Sequence, residues 1–557
     1  MTRAKSEELV FWPLGGVGEI GMNLALYGVG AGTKRRWLMV DCGVAFADEA
    51  LPGIDLIMPN VDVLHAQRKN LVGIVITHAH EDHIGALIDL WPRLHVPVYA
   101  TPFAAALLAA KVAGEPGAPQ IPVTVVGQGA RWSLPPFDLE FVPVSHSIPE
   151  PNALVIRTAL GTVVHSGDWK IDATPGIGLP IDLGRFAEIG REGVRAFVCD
   201  STNAVRDGRS PSEADVARSL VEIVAKAPAR VAVTTFASNL ARLRAVMLAA
   251  KAAQREVVVM GRAMQRVLDV ADELGYLEGL PATLDEDAYG YLPRDKVVAL
   301  LTGSQGEPRA ALARIASDDH RNVALSAGDL VIFSSRTIPG NEKAVNGIIN
   351  ALCRRGVEVM TDRDGLVHVS GHPRRDELAE LYGLIKPQVA VPVHGEPMHL
   401  AAHAKLARSL GVPEIGRVED GQMLRLAPGP VDIVDSVPAS YLYKDGRLLL
   451  PLEESGVTER RRVGFGGAVV VSVVLRDKGE IAMPPQVVLI GVPSIDANGK
   501  PFAPIVEKAV LGALESIPRP RRRDRELVAE ALRRAARAAV AERWGKKPVC
   551  RVLVTDL

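Results

Sequence analysis

The sequence has little that would suit an oxidising compartment or a lipid bilayer. Cysteine is scarce: Cys42, Cys199, Cys353 and Cys550 are the only four in 557 residues, far apart and without a CxxC pair. That excludes a disulfide scaffold and predicts unpaired thiols held in the core. No run of about 18 uncharged apolar residues occurs, so no membrane span is expected. The opening MTRAKSEELVFWPLGG lacks a long apolar segment of the signal-peptide kind, which predicts a cytoplasmic protein. An excess of one charge is also missing. With 64 basic and 65 acidic residues the formal net charge is -1, so any polyanionic partner would need a local basic groove. Internal repeats and low-complexity tracts are absent.

What is present is an α/β pattern too long for one comfortable core. Short β-branched runs such as RWLMVDCG, LVGIVITH, TVVHSGD and VRAFVCDST fill the first 200 positions and read as buried strands with polar residues at their C-terminal ends. From 209 to 365 helical stretches (SEADVARSLVEIVAKA, NLARLRAVMLAAKAA) alternate with strands (VAVTTFAS, LVIFSS), which is the wiring of a separate α/β unit. Strand-like LVHVSG and PQVAVPVHGEP then resume the earlier character over 366–440, so the middle unit is expected to be inserted into the first domain, 1–208. The polar stretch 441–465 reads as a linker, and 466–557 as a small terminal α/β domain.

GVGEIG, residues 16–21, matches G-x-G-x-x-G, and Asp41 follows about twenty residues later, as in a dinucleotide site. Its context points elsewhere. The glycines should open a helix, whereas MNLALYGVGAGTKRRWLMVD reads as two β-runs joined by a glycine-rich turn, a hairpin. The chemistry concentrates instead in VITHAHEDHIGA, residues 75–86, where His78, His80, Asp82 and His83 fall within six positions. On a sharply turning loop these side chains can address two adjacent points. Imidazole and carboxylate donors suit zinc, manganese or iron, and the absence of nearby cysteine argues for a catalytic over a purely structural zinc site. His65, His95, His165, His320, His399 and His403 stand alone and read as surface or hydrogen-bonded core residues.

His78-x-His80-x-Asp82-His83 resembles the signature of the metallo-β-lactamase superfamily. Asp41 in VDCG, His146 in PVSHSIP and Asp168 in HSGDWK match further motifs in the expected order. The resemblance implies an αββα sandwich in which His78, His80 and His146 hold one divalent metal. Asp82 and His83 hold a second, Asp168 bridges the two, and Asp41 orients the ligands. A glutamate would replace His80 in the flavodiiron relatives, so a redox di-iron site is not expected. The middle unit is similar to that of the β-CASP nucleases: Asp200 in VCDST, His372 in HVSGHP and His394 in VPVHGEP match their three motifs, and His394 would complete the second metal's ligands. LGGVGEIGMN, TTFASNLARL, TGSQGEP, SRTIPGNE and HVSGHPRRDEL narrow the likeness to the bacterial ribonuclease J branch, from about residue 8 to the end of the chain. Met22 and Trp169 depart from lysine and phenylalanine in many members.

The resemblance implies hydrolysis of single-stranded RNA, by 5′-to-3′ exonucleolytic and endonucleolytic cleavage in RNA maturation and decay. Two close divalent ions, Zn2+ or alternatively Mn2+, would activate a water and stabilise the phosphate charge. Asp200 and His372 would form the acid pair for the leaving oxygen, with Asp82 counted among the catalytic residues. Ser238, Asn239, His368 and Ser370 would bind the RNA 5′-phosphate and favour a monophosphate. For Ser238 and Asn239 a helix N-cap is the bland alternative, compatible with phosphate binding. Arg374, Arg375 and Arg309 are candidates for the RNA path, and the basic run 519–525 is read first as a helix start. The terminal domain is expected to make homodimers or homotetramers. A small-molecule hydrolase of the glyoxalase or lactonase kind would share the histidine motif but not the insertion. An inactive scaffold would have lost ligands, and this chain keeps all seven.

Overall fold

A computed structural model describes residues 7–338, 340–476 and 479–557, which form two units, one of residues up to 45 and 58–440, the other of 46–57 and 441–557. In the first, two sheets lie face to face. One has eight strands in the order Asp432–Ser436, Gln422–Ala427, Glu8–Gly15, Leu24–Gly30, Arg36–Val40, Leu71–Val75, Val98–Ala100, Val123–Val125. The other has seven: Glu414–Ile415, Val389–Val393, Ala196–Asp200, Gly161–His165, Asn152–Thr158, Phe137–Pro143, Arg131–Leu134. Leu9, Phe11, Tyr27 and Val40 from the first meet Phe141, Leu154, Val198 and Val391 from the second in one core. Strands buried on both faces need continuous apolar runs, which is why the sequence reads as runs and not as alternation here. Helices Leu183–Glu192, Arg375–Ile385 and Pro397–Ser409 cover the seven-stranded sheet through Phe186, Leu381 and Ala407. Helices Leu87–Leu94 and Pro102–Gly114 are crossovers between parallel strands of the other. The αββα sandwich is therefore observed.

The expected hairpin is also there: Leu24–Gly30 pairs antiparallel with Arg36–Val40, and no helix follows the glycines. Between Asp200 and Val367 the chain builds a third sheet, six parallel strands in the order Thr283–Leu284, Glu256–Met260, Val297–Leu301, Val231–Thr234, Leu330–Phe333, Glu358–Met360. It has its own core around Ala299, Leu312 and Val331.

In the second unit, Ala468–Leu475 pairs with Gln486–Ile490 and Val549–Asp556 against helices Phe502–Ser516 and Arg525–Trp544. The stretch 441–465, expected as a linker, is folded into this unit. Tyr441–Asp445 and Leu448–Leu450 form a hairpin, Val457–Gly466 is a helix, and the backbone of Lys444 accepts from Asp55 N at 2.8 Å. Its polar composition reflects a thin layer with one face in solvent, where few apolar residues are needed. Cys42, Cys199 and Cys550 are buried as expected, but Cys353 is exposed. It sits one position beyond Leu352, off the buried stripe of Val345, Ile348 and Leu352 on its helix. Among the described residues no helix is long and apolar enough to cross a membrane.

Candidate active site

The site lies along one edge of the sandwich because its residues follow strands that run the same way. Arg36–Val40 and Leu71–Val75 are parallel, as are Gly161–His165, Ala196–Asp200 and Val389–Val393, so Asp41, His78, Asp168, Asp200 and His394 emerge together at carboxyl ends. Ligand sites of open α/β sheets gather at that edge. His146 follows Phe137–Pro143, which is antiparallel to Asn152–Thr158 and so runs the same way as Gly161–His165.

Two sets of donors converge on Asp168. In one, Asp168 Oδ2 lies 3.7 Å from His78 Nε2 and 3.6 Å from His146 Nε2, while His80 Nδ1 stands 3.1 Å from each of those nitrogens. In the other, Asp168 Oδ1 lies 3.3 Å from His83 Nε2 and 3.5 Å from His394 Nε2. Asp82 Oδ2 is 3.5 and 3.9 Å from those two nitrogens. Within each set the donor atoms lie within 4.8 Å of one another. Asp168 Oδ1 is buried without a hydrogen-bond donor, an orphan that a bound cation would satisfy.

The far nitrogens explain the convergence. His83 Nδ1 meets Asp41 Oδ2 at 2.7 Å, His146 Nδ1 meets the Gly371 carbonyl at 2.8 Å, His394 Nδ1 meets Asn23 Oδ1 at 2.9 Å, and His78 Nδ1 meets Thr77 Oγ1 at 3.0 Å. Such outer partners fix tautomer and ring direction and leave the inner nitrogen to bind. Asp41 in turn accepts from Thr77 N at 2.8 Å and Thr77 Oγ1 at 2.9 Å. Burial, with the neighbouring imidazoles, holds His78 and His146 well below the ordinary histidine value and His80 at about 4, the neutral form that ligates. Burial also works against charging His83, but Asp168, Asp82 and Asp41 together raise it well above. Three carboxylates around one imidazole is an environment that wants a cation. The donor set fits a divalent metal ion at either position.

Backbone strain marks the same place. Asp41 and His394 hold φ values of 62° and 51°, a region costly for residues with a side chain. At Gly43 a Cβ would stand 1.7 Å from the Asp82 carbonyl oxygen, and at Gly371 it would stand 2.5 Å from the His146 ring. Both glycines are required by close approach, not by turn chemistry.

Beside the donors, His372 Nδ1 is 2.8 Å from Asp200 Oδ2 and 3.9 Å from Asp168 Oδ2. Burial opposes its charge, but Asp200 and Asp168 push the imidazole up to about 9. Asp200, His372 and His394 also bring ligand-type atoms within 4.8 Å of one another. His368 and Ser370 lie just before His372. Ser370 Oγ accepts from Asn203 Nδ2 at 2.8 Å, while His368 Nδ1 is buried and unpartnered. Asn239 caps helix Leu240–Ala252, accepting from Arg242 N at 2.9 Å, and Ser238 precedes it. The four are not bonded to one another. They are linked through Arg242, which donates to the Val367 carbonyl at 2.7 Å.

Asn23, Thr77, Gly43 and Gly371 were not singled out from the sequence. Asn23 donates to the Asp82 carbonyl at 3.1 Å as well as meeting His394, so it holds the loop carrying one donor and the ring of another. Its only advance signal was its place at the end of LGGVGEIGMN. Among the remaining histidines, His165 meets Tyr27 OH at 2.9 Å and His403 meets Ser201 Oγ and Tyr382 OH, both at 2.9 Å. His65 and His95 are exposed. In the basic run, Asp524 caps helix Arg525–Trp544 and Arg519 pairs with Glu480 at 3.3 Å, the helix start expected.

Comparison with known proteins follows this layout. Residues 28–261 match the metallo-beta-lactamase superfamily, 228–352 the ribonuclease J beta-CASP domain, 356–415 the Zn-dependent metallo-hydrolase RNA specificity domain and 455–557 the ribonuclease J C-terminal domain. The first two overlap over 228–261. The pairing of Val231–Thr234 and Glu256–Met260 within the six-stranded sheet assigns that stretch to the insertion. The ribonuclease J of Sinorhizobium meliloti is 57% identical over 554 residues, covering 100% of this chain and 98% of that protein. Those of Corynebacterium glutamicum and Mycolicibacterium smegmatis are 37% and 38% identical, covering 98% and 96% of this chain and 76% and 95% of theirs. A solved protein of unknown function from Enterococcus faecalis V583 shares the fold at TM-score 0.53 and 16% identity, over 75% of this chain and 100% of its own. With near-complete coverage at that identity, and with the family's insertion and terminal domain both matched, the chain belongs to the ribonuclease J family of metal-dependent ribonucleases.

Proposed function

We propose that this protein hydrolyses single-stranded RNA with two divalent cations, zinc or manganese, acting from 5′ to 3′ at monophosphorylated ends and also cutting internally. The observation that carries the reading is the division of Asp168, whose two oxygens each face a separate set of donors. His78, His80 and His146 would hold one cation, Asp82, His83 and His394 the other, with Asp168 shared. Cations bound there would lower the pKa of water and stabilise charge growing on a phosphodiester. The chain's own groups do the rest. Asp41, Thr77, Asn23 and the Gly371 carbonyl aim the imidazoles before substrate arrives. His372, held protonated by Asp200 at 2.8 Å, is the proton donor for the departing 3′-oxygen.

His368 and Ser370, with Ser238 and Asn239 at a helix N-terminus, form the terminal phosphate pocket. Its donors are neutral and few, which suits one phosphate and not three. The same reading has the enzyme act in the cytoplasm as a homodimer or homotetramer. In the terminal unit, one face of the three-stranded sheet leaves Val488, Ile490 and Leu553 more than half exposed, a surface suited to a second copy.

The test is digestion of internally labelled RNA carrying a 5′-monophosphate, a 5′-triphosphate or a 5′-hydroxyl. Monophosphorylated RNA is expected to yield mononucleotides, and triphosphorylated RNA to wait for an internal cut. Ser370→Ala with His368→Ala is expected to shrink that preference at least about tenfold while internal cleavage persists. Equal digestion of all three ends by the wild type would remove the pocket and leave an endonuclease.

A further inference from the structure

The arginines around the site are of two kinds. Arg209 pairs with Glu380, Arg375 Nε with Asp207 Oδ1 at 3.1 Å, and Arg242 Nη2 with Glu213 Oε2 at 2.8 Å. Arg206, Arg336 and Arg374 have no carboxylate within ion-pair distance among the described residues. They come from three segments tied together by hydrogen bonds. Arg206 follows Asn203, whose Nδ2 donates to Ser370 Oγ at 2.8 Å and to the His372 carbonyl at 3.1 Å. The Arg206 carbonyl accepts from Arg375 N at 3.0 Å, next to Arg374. Arg336 leaves strand Leu330–Phe333 just after Ser334, whose Oγ donates to the Val367 carbonyl at 2.6 Å. All three therefore surround the segment that carries His368 and Ser370.

Their charges act on one another. Burial and Arg374 lower Arg206, burial and Arg206 lower Arg336, and only the exposed Asp362 pulls both back. The Arg374 Nε is buried without an acceptor. Like charges gathered with only one exposed carboxylate to offset them are costly unless an anion completes them, and guanidinium forks match phosphate oxygens. Arg206 is exposed and Arg336 and Arg374 are half-buried, so all three can be reached from solvent. An open rim of this kind suits a strand passing by.

We propose that Arg206, Arg336 and Arg374 form one gripping station for internal phosphodiesters of single-stranded RNA, separate from the pocket for the terminal phosphate. It rests on the ribonuclease reading above. Arg209 and Arg375, already paired, take no part.

The experiment measures binding of oligoribonucleotides bearing a 5′-monophosphate or a 5′-hydroxyl, by fluorescence anisotropy across a salt series. The full-length protein carries Asp168→Ala throughout to suppress cleavage. Arg206→Gln, Arg336→Gln and Arg374→Gln are each expected to weaken both oligonucleotides about tenfold, the worth of one charge-assisted contact. Each should also reduce the slope of log affinity against log salt by about 0.7. Arg209→Gln and Arg375→Gln should change either value less than about twofold, the worth of an exposed pair. Melting curves check that each variant is folded. Weakening confined to the monophosphate oligonucleotide would assign the arginines to the terminal pocket and overturn the proposal, as would no weakening, or equal weakening by the two controls. A wild-type protein that neither binds nor cleaves either RNA would sink the ribonuclease reading first, and the station with it.

Discussion

Two groups of histidines are equally buried and chemically opposite. His403, on the buried face of helix Pro397–Ser409, has a hydroxyl on each ring nitrogen, Ser201 Oγ and Tyr382 OH, both at 2.9 Å. His83, His146, His78 and His394 are each anchored at Nδ1, while their Nε2 atoms turn inward to Asp168 and the other converging donors, His83 Nε2 with Asn23 Nδ2 also at 3.1 Å. Burial holds His403 at about 4, much like His80, so neither depth nor neutrality separates a ligand from a core residue. The inward nitrogen left for something else does. The same contrast runs through the carboxyl groups. Asp168, although buried, is held well below the ordinary carboxylate value by His394, His83 and His372. Asp420 has no cationic partner among the described residues, and burial beside Glu19 pushes it up to about 8.

The sharpest way to break the comparison is to remove a converging donor. Asp168→Ala or His80→Ala should reduce RNA hydrolysis to background while the melting curve still shows a folded protein, and bound divalent metal measured by mass spectrometry should fall with it. Undiminished cleavage in metal-controlled buffer would refute the assignment. His372 tests the boundary of the cluster. His372→Ala is expected to slow cleavage by about 10² to 10⁴-fold, the usual worth of a general acid, with metal content near wild type. A matching loss of metal would make His372 a ligand instead.

The core histidine should behave in the reverse manner. His403→Ala leaves the buried Tyr382 hydroxyl without a partner and Ser201 Oγ with only the Cys199 carbonyl at 3.4 Å, a loss of roughly 1–3 kcal/mol for an unsatisfied group. Urea midpoints should drop accordingly, while turnover per folded molecule at low temperature stays near wild type. Asp420 gives the smallest and most pH-dependent effect. Its folded-state value lies above that of the unfolded chain, so the folded form keeps a proton the unfolded form has released. Its contribution is therefore favourable at acid pH and is lost as pH rises from about 4 towards about 8. Asp420→Asn should raise the melting temperature at pH 8 and leave it nearly unchanged below pH 4. A variant curve parallel to the wild type across that range would show that the group does not titrate as argued.

Much of this protein was determined by its sequence alone. Two-sided burial demands continuous apolar strands, and functional residues at strand ends follow from α/β architecture. So the two-sheet domain, the inserted unit and the seven converging donors were legible, His78, His80, Asp82 and His83 because they crowd into one loop and His146, Asp168 and His394 only through the family resemblance of their motifs. What only the tertiary structure decided are relations between distant segments. Asn23 reaches His394 across 371 positions and His146 reaches the Gly371 carbonyl across 225, so neither pairing leaves a local pattern. The stretch 441–465 proved folded because its neighbours supply what its own composition lacks. Which arginines carry unspent charge was equally invisible. Arg374 and Arg375 are adjacent in sequence, yet only Arg375 finds a carboxylate, because adjacent side chains at a helix start point in different directions.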